Sequence, residues 1–214
     1  MNSNDLLNLN IIEKGGILMW PILIVGIVAI ILGIERLFVL LYTRKATVQI
    51  MERIQELATK QLWTEAREFC QVNKRSPTCS MLDSVMEHVG TTQEVLENSL
   101  TEAIMRLQPR LNRFLPTLSV LAAIAPLLGL LGTVTGMINT FHVITMVGTG
   151  DPRMMSGGIS EALLTTQFGL VVAVPIMLLH HALQRRSERI ASDMEEKGFA
   201  FIVTMMKNQV PAEA

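Results

Sequence analysis

Charge is what this sequence has least of. Only 17% of its 214 residues are charged, and 18 basic side chains against 19 acidic ones leave a net charge of −1. That balance gives no electrostatic footprint for nucleic acid. Cysteine occurs twice, at Cys70 and Cys79, with no CxxC and no clustered histidine. The spacing fits neither a zinc site nor a redox motif, and the pair reads as reduced thiols in a cytosolic segment. No nucleophile–base pair and no metal constellation stands out, so neither an enzyme nor a cofactor is expected.

Charge is not merely sparse but excluded from three runs. Gly15 to Ile34 is 20 residues without Asp, Glu, Lys or Arg, Phe114 to Gly150 is 37, and Ala162 to Gln184 is 23. Twenty residues of helix span about 30 Å, the thickness of a bilayer core. The 37-residue run is too long for one span, so part of it must leave the membrane. Half of all residues are hydrophobic. The expected fold is therefore an all-α integral membrane protein with three transmembrane helices, over 16–41, 116–143 and 157–183. The first run is not read as a signal peptide: Asp5 and Glu13 precede it, only Lys14 is positive, and no small-x-small site follows.

Lysine and arginine set an expected orientation. Ten lie within 44–113 and five follow residue 184, whereas Lys14 and Arg153 are the two on the other side. By the positive-inside rule the N-terminus lies outside, 42–115 and 184–214 lie inside, and 144–156 is a short outer loop. Residues 1–15 are expected to form an outer interfacial segment, with a short helix over 4–14. The inner segment carries helix-forming composition without strand alternation. It reads as a helical bundle, broken near Lys60–Gln61 and at the turn around Pro77. The pattern Thr91-Thr92-Gln93-Glu94 resembles a capping box. The helix it opens is expected to run from 92 to 113 and to feed directly into the second span. Pro109, Pro116 and Pro126 can each kink that path.

The three spans are built differently. The first is bulky and apolar, with Trp20 as an interfacial anchor and Gly26 and Gly33 seven apart on one possible packing stripe. The second carries Ala122, Ala125, Gly129, Gly132, Thr133, Gly136 and Thr140 at helical steps of three and four. Small residues on one face let another backbone approach, a main source of helix association in lipid. Thr135, Asn139 and His142 form a second, polar set. The third span repeats the small face with Ala162, Thr166, Gly169 and Ala173. Glu161, Thr165, Phe168 and Val172 fall on the neighbouring face.

Glu161 is the one membrane-embedded carboxylate candidate. Two readings stand side by side. It is a glutamate at a helix N-terminus, stabilised by the helix dipole, or it is an intramembrane acid on an ion route, with nearby threonines to hydrogen-bond water.

The stretches APLLGLLGTVTGMINTF (125–141) and GGISEALLTTQFGLVVAVPIML (157–178) resemble the MotA/TolQ/ExbB family of proton-channel subunits. They carry a proline, a GLxGTVxGM block, and IxEALxTTxxGLxxAxP in the next span. The resemblance is strong over 115–185. Three spans, an outer N-terminus and a large inner loop are similar to ExbB and TolQ; the fourth span of MotA-like stators is absent. The resemblance implies a homo-oligomeric ring, usually a pentamer, around two single-span helices of an ExbD/TolR-like partner. It implies a TonB- or TolA-like protein that receives the energy, and an inner-membrane location with a periplasmic N-terminus and a cytoplasmic C-terminus. It also implies a proton path along Thr133, Glu161 and Thr166, with the second titratable group supplied by the partner. Thr165, one turn from Glu161, is the other candidate hydroxyl. A TolQ-like subunit of a Tol-Pal system and a related gliding-type motor are the alternatives within the resemblance, and a non-conducting membrane scaffold built on the same small-residue faces is the rival of another class.

Overall fold

The structure is a computed structural model that describes residues 15–60, 62–73, 76–148 and 152–209. The expected helix over 4–14 lies outside these residues. Every regular element among them is an α-helix: α1 (Met19–Thr59), α2 (Trp63–Val72), α3 (Pro77–Met86), α4 (Gln93–Leu111), α5 (Leu115–Val147) and α6 (Pro152–Gln209). Three contain stretches long and apolar enough to cross a membrane, Met19–Thr43, Leu115–Met146 and Ser156–Lys207.

Helix ends depart from the hydropathy boundaries in instructive ways. α1 continues past the apolar run to Thr59 and α6 runs on to Gln209. No proline or glycine interrupts 42–59, so nothing stops the first helix where its apolar run stops. At 1.5 Å per residue the 58 residues of α6 measure about 87 Å, far more than a bilayer core. The tail after 184 is thus the same helix as the third span. Between α5 and α6 the break is shorter than 144–156. Gly148, at φ +81°, ends α5, and Pro152 opens α6, the usual residue types for those two ends.

The expected continuous helix from 92 into the second span is not formed. α4 stops at Leu111 and Phe114 takes the left-handed conformation, φ +64°. Pro116 has no N–H to give the carbonyl four residues back, so a helix running through 112–116 would lose that bond. The Phe114 carbonyl instead accepts from the Leu118 N–H at 3.0 Å and starts α5 afresh. Thr92, not Thr91, stands at the N-cap of α4, and it makes no side-chain cap bond. Thr91 donates backwards to the His88 carbonyl at 2.7 Å.

The chain forms two compact units. One takes the chain up to Glu35 together with Phe114–Ala182; the other takes Arg36–Arg113 together with Leu183–Ala214. In the first, the buried positions of α1 recur every three or four residues, at Met19, Ile22, Gly26, Ala29 and Gly33. The opposite face, with Ile24, Ile27 and Ile31 more than half exposed, is apolar. Such a face is a liability in water and ordinary in lipid.

The second unit has a conventional buried core. Met51 and Ile54 of α1, Leu82 of α3, Leu96 and Leu100 of α4, and Phe201 and Met205 of α6 are essentially inaccessible. Trp63 meets Phe201 edge-on with ring centroids 6.0 Å apart, and the Leu100 side chain fills the space a Cβ on Gly198 would take. Two buried hydroxyls find side-chain partners: Thr78 donates to Thr47 at 2.9 Å, and Ser187 donates to the Asn112 side chain at 2.8 Å.

Candidate proton path between α1, α5 and α6

In the first unit α5 and α6 meet through small residues. Ala122, Ala125, Gly129, Gly132, Gly136 and Thr140 of α5 are all buried. So are Ala162, Thr165, Gly169 and Ala173 of α6. The contact is backbone against backbone. A Cβ on Gly129 would stand 3.0 Å from the Thr165 carbonyl oxygen and 3.0 Å from the Thr166 Cα. One on Gly169 would stand 2.7 Å from the Ala125 carbonyl oxygen, and one on Gly136 2.7 Å from the Gly158 carbonyl oxygen. Only a residue without a side chain permits this approach.

The two threonines of α6 separate at this interface. Thr165 is fully buried, set against Gly132, with its hydroxyl donating to the carbonyls of Glu161 (3.0 Å) and Ala162 (2.9 Å) in its own helix. Thr166 is half-buried and donates across to the Gly129 carbonyl at 3.0 Å. The helical wheel had grouped Thr166 with the small face and Thr165 with Glu161. Both lie within about 60° of Ala162 on a wheel, so spacing alone does not choose between them. The fit over Gly132 does, and it turns Thr165 towards α5.

Thr133, next to Gly132, is half-buried and donates to the Leu130 carbonyl at 2.6 Å. Of the polar set on α5, Thr135 is half-buried and donates to the carbonyls of Leu131 and Gly132 (3.0 and 3.1 Å), while Asn139 and His142 are exposed. On α6, His180 and His181 stack edge-on with centroids 5.5 Å apart.

Glu161 is half-buried on α6, nine residues after the helix opens at Pro152 and immediately before the charge-free run Ala162 to Gln184. Its neighbour is the turn that leads into α1. The carboxylate lies over Gly16, whose φ of +67° is one that side-chain-bearing residues rarely adopt. Further along, Val172 covers Gly26 and Leu179 covers Gly33. α6 thus offers one face to α5 and another to α1, with the acid at one end of the second. Among the described residues Glu161 makes no ion pair. Gly16 and Gly158 escaped the reading by spacing: each is the second of a Gly-Gly pair, and the pair carries no sign of what either member touches.

Packed glycines, a half-buried acid and interhelical threonines narrow the possible relatives. The sequence profile described as the MotA/TolQ/ExbB proton channel family matches residues 73–196, which includes all of α5 and the Glu161 region of α6. The chain belongs to the MotA/TolQ/ExbB family. A putative biopolymer transport protein ExbB-like 1 of Synechocystis is 30% identical over 173 residues, covering 79% of this chain and 68% of that protein. A putative biopolymer transport protein ExbB homolog of Methanothermobacter thermautotrophicus is 30% identical over 174 residues, covering 80% and 61%. The Tol-Pal system protein TolQ of Pseudomonas aeruginosa is 33% identical over 108 residues, covering 50% and 44%. The matches thus span between 44% and 68% of these three relatives' lengths. Like them in sequence, and with three apolar helices, this family member is a multi-pass membrane protein.

Proposed function

We propose that the chain is an ExbB-like subunit of an inner-membrane motor driven by the proton-motive force. With an ExbD-like single-span partner it energises a TonB-type protein for outer-membrane transport. The observation that carries this reading is Glu161, a half-buried carboxylate at the head of the charge-free run Ala162 to Gln184, beside backbone at Gly16 and without an ion-pair partner among the described residues. Acids in such positions are costly in lipid and mark ion routes. Thr133 and Thr166 flank the same helix pair and provide hydroxyls along the way.

A single acid cannot by itself relay protons across a bilayer. In this proposal the second titratable group belongs to the partner, and the exposed apolar faces of the spans assemble a homopentamer around two partner helices. The N-terminus is periplasmic and the C-terminus cytoplasmic, as the distribution of lysine and arginine favours. Each proton supplies about 2.3 kcal/mol per 100 mV of membrane potential. The work is mechanical: the subunit conducts and rearranges, and it is not an enzyme. A second reading, a TolQ-like subunit of a Tol-Pal system, draws on the similarity to TolQ of Pseudomonas aeruginosa.

Complementation tests both. Produced with an ExbD-like partner in cells lacking ExbB, the chain is expected to restore TonB-dependent uptake, and Glu161→Gln is expected to co-purify with the partner yet restore none. Rescue of TolQ-deficient cells alone would move the chain to the Tol-Pal system. Rescue of neither, with the complex intact, would overturn the motor reading.

A further inference from the structure

The two cysteines stand apart from the proton path and from every role given above. Cys70 is the third residue from the end of α2 and Cys79 the third residue of α3, so both sit at the same level beside the turn that joins these helices. Both are free and both are completely buried. One turn further from that turn, Arg67 of α2 reaches Asp83 of α3 at 3.6 Å and Glu87 at 3.4 Å. The helices are thus held together on both sides of the cysteine level, by the connecting turn and by this ion pair. Cys70 and Cys79 stand equally far, three residues each, from the ends Asn73 and Ser76 of the segment that joins the two helices, which places them opposite each other.

We propose that Cys70 and Cys79 form an oxidisable dithiol, which a hydroperoxide converts into an intrachain disulfide stapling α2 to α3. In the first step one sulfur attacks a peroxide oxygen, giving a sulfenic acid and, from hydrogen peroxide, one water. In the second, the other sulfur attacks the sulfenic sulfur. The S–S bond forms, hydroxide leaves, and it takes the second thiol proton as water. Two thiols are oxidised and one peroxide is reduced to two waters. The structure favours Cys79 as the attacking sulfur. The neighbouring Cys70 holds the Cys79 thiol below its ordinary range, while Cys79 and burial push Cys70 up. Burial selects the oxidant by size. A peroxide needs far less opening of the helix pair to reach a buried thiol than a peptide disulfide does.

The sequence supplies a direct test. Trypsin cuts after Lys74 and Arg75, between the two cysteines, and so separates 68–74 from 76–106. The full-length protein in its membrane or native detergent is treated with a few equivalents of hydrogen peroxide, quenched with N-ethylmaleimide and digested. The expected product is the two peptides joined, lighter than their sum by two hydrogens. It should come from chains that still run as single chains on a non-reducing gel, and dithiothreitol should reverse it. Cys70→Ser and Cys79→Ser should each abolish it. Oxidation of Met105, 65% exposed, reports the dose that the protein has received. If both cysteines are still alkylated at a dose that oxidises Met105, the proposal fails. It fails equally if each is separately over-oxidised, or if the link joins two chains.

Discussion

Glu161 owes its setting to a residue that no spacing rule picks out. Its carboxylate rests over Gly16, which combines a left-handed backbone with the absence of a side chain. Gly16→Ala would strain that backbone by about 1 kcal/mol and push a methyl into the carboxylate. The acid would remain while its position changed. We therefore expect Gly16→Ala to cut proton flux by about tenfold, the equivalent of ~1.4 kcal/mol, with partner co-purification unchanged. Flux equal to wild type would show that the contact is incidental. At this scale the sequence made the acid visible, because an isolated carboxylate in an apolar run is conspicuous. Thr165 and Thr166 were less legible. They are neighbours in sequence and flank the same face, and their separation depends on which hydroxyl fits over Gly132 and which reaches Gly129 across the helix pair.

Helix packing is where the small residues act. At Gly129 and Gly169 the atoms a methyl would meet are backbone, which cannot rotate away. Gly129→Ala should force α5 and α6 apart and lower stability by roughly 1–3 kcal/mol, the usual penalty for overpacking. Gly157 gives the matched control, since a Cβ there meets nothing within 4 Å. Gly157→Ala in the same helix pair should be neutral, or stabilising by up to about 1 kcal/mol through backbone entropy. Thermal unfolding of both variants in detergent separates a packing effect from a general dislike of alanine; equal behaviour would remove the close-approach argument. The three spans were legible because membrane helices must exclude charge over a fixed length. The lengths of α1 and α6 were not, since a helix of polar residues continues an apolar one with no local signal at the join. The break at 112–114 was missed for a related reason. Helix-forming residues on both sides outweighed Pro116, whose cost appears only when the missing N–H is traced to its would-be acceptor.

For the molecule as a whole, the division into two units follows the charge pattern closely. The unit boundaries at Glu35/Arg36, Arg113/Phe114 and Ala182/Leu183 lie within two residues of the ends of the charge-free runs. One unit gathers the apolar helices with their glycine contacts and Glu161; the other gathers a packed core around Leu100 and Phe201 with paired surface charges. α1 and α6 each contribute to both units without a break. The family was readable from two short blocks, which sit where α5 and α6 touch and where the acid lies. The central claim is that protons pass beside Glu161. Its most direct measurement is dye-reported proton flux into vesicles holding the purified complex with its single-span partner, under an imposed potential. We expect wild type to conduct, and Glu161→Gln to fall to the level of empty vesicles while assembling normally. Undiminished flux through an intact Glu161→Gln complex would contradict the account.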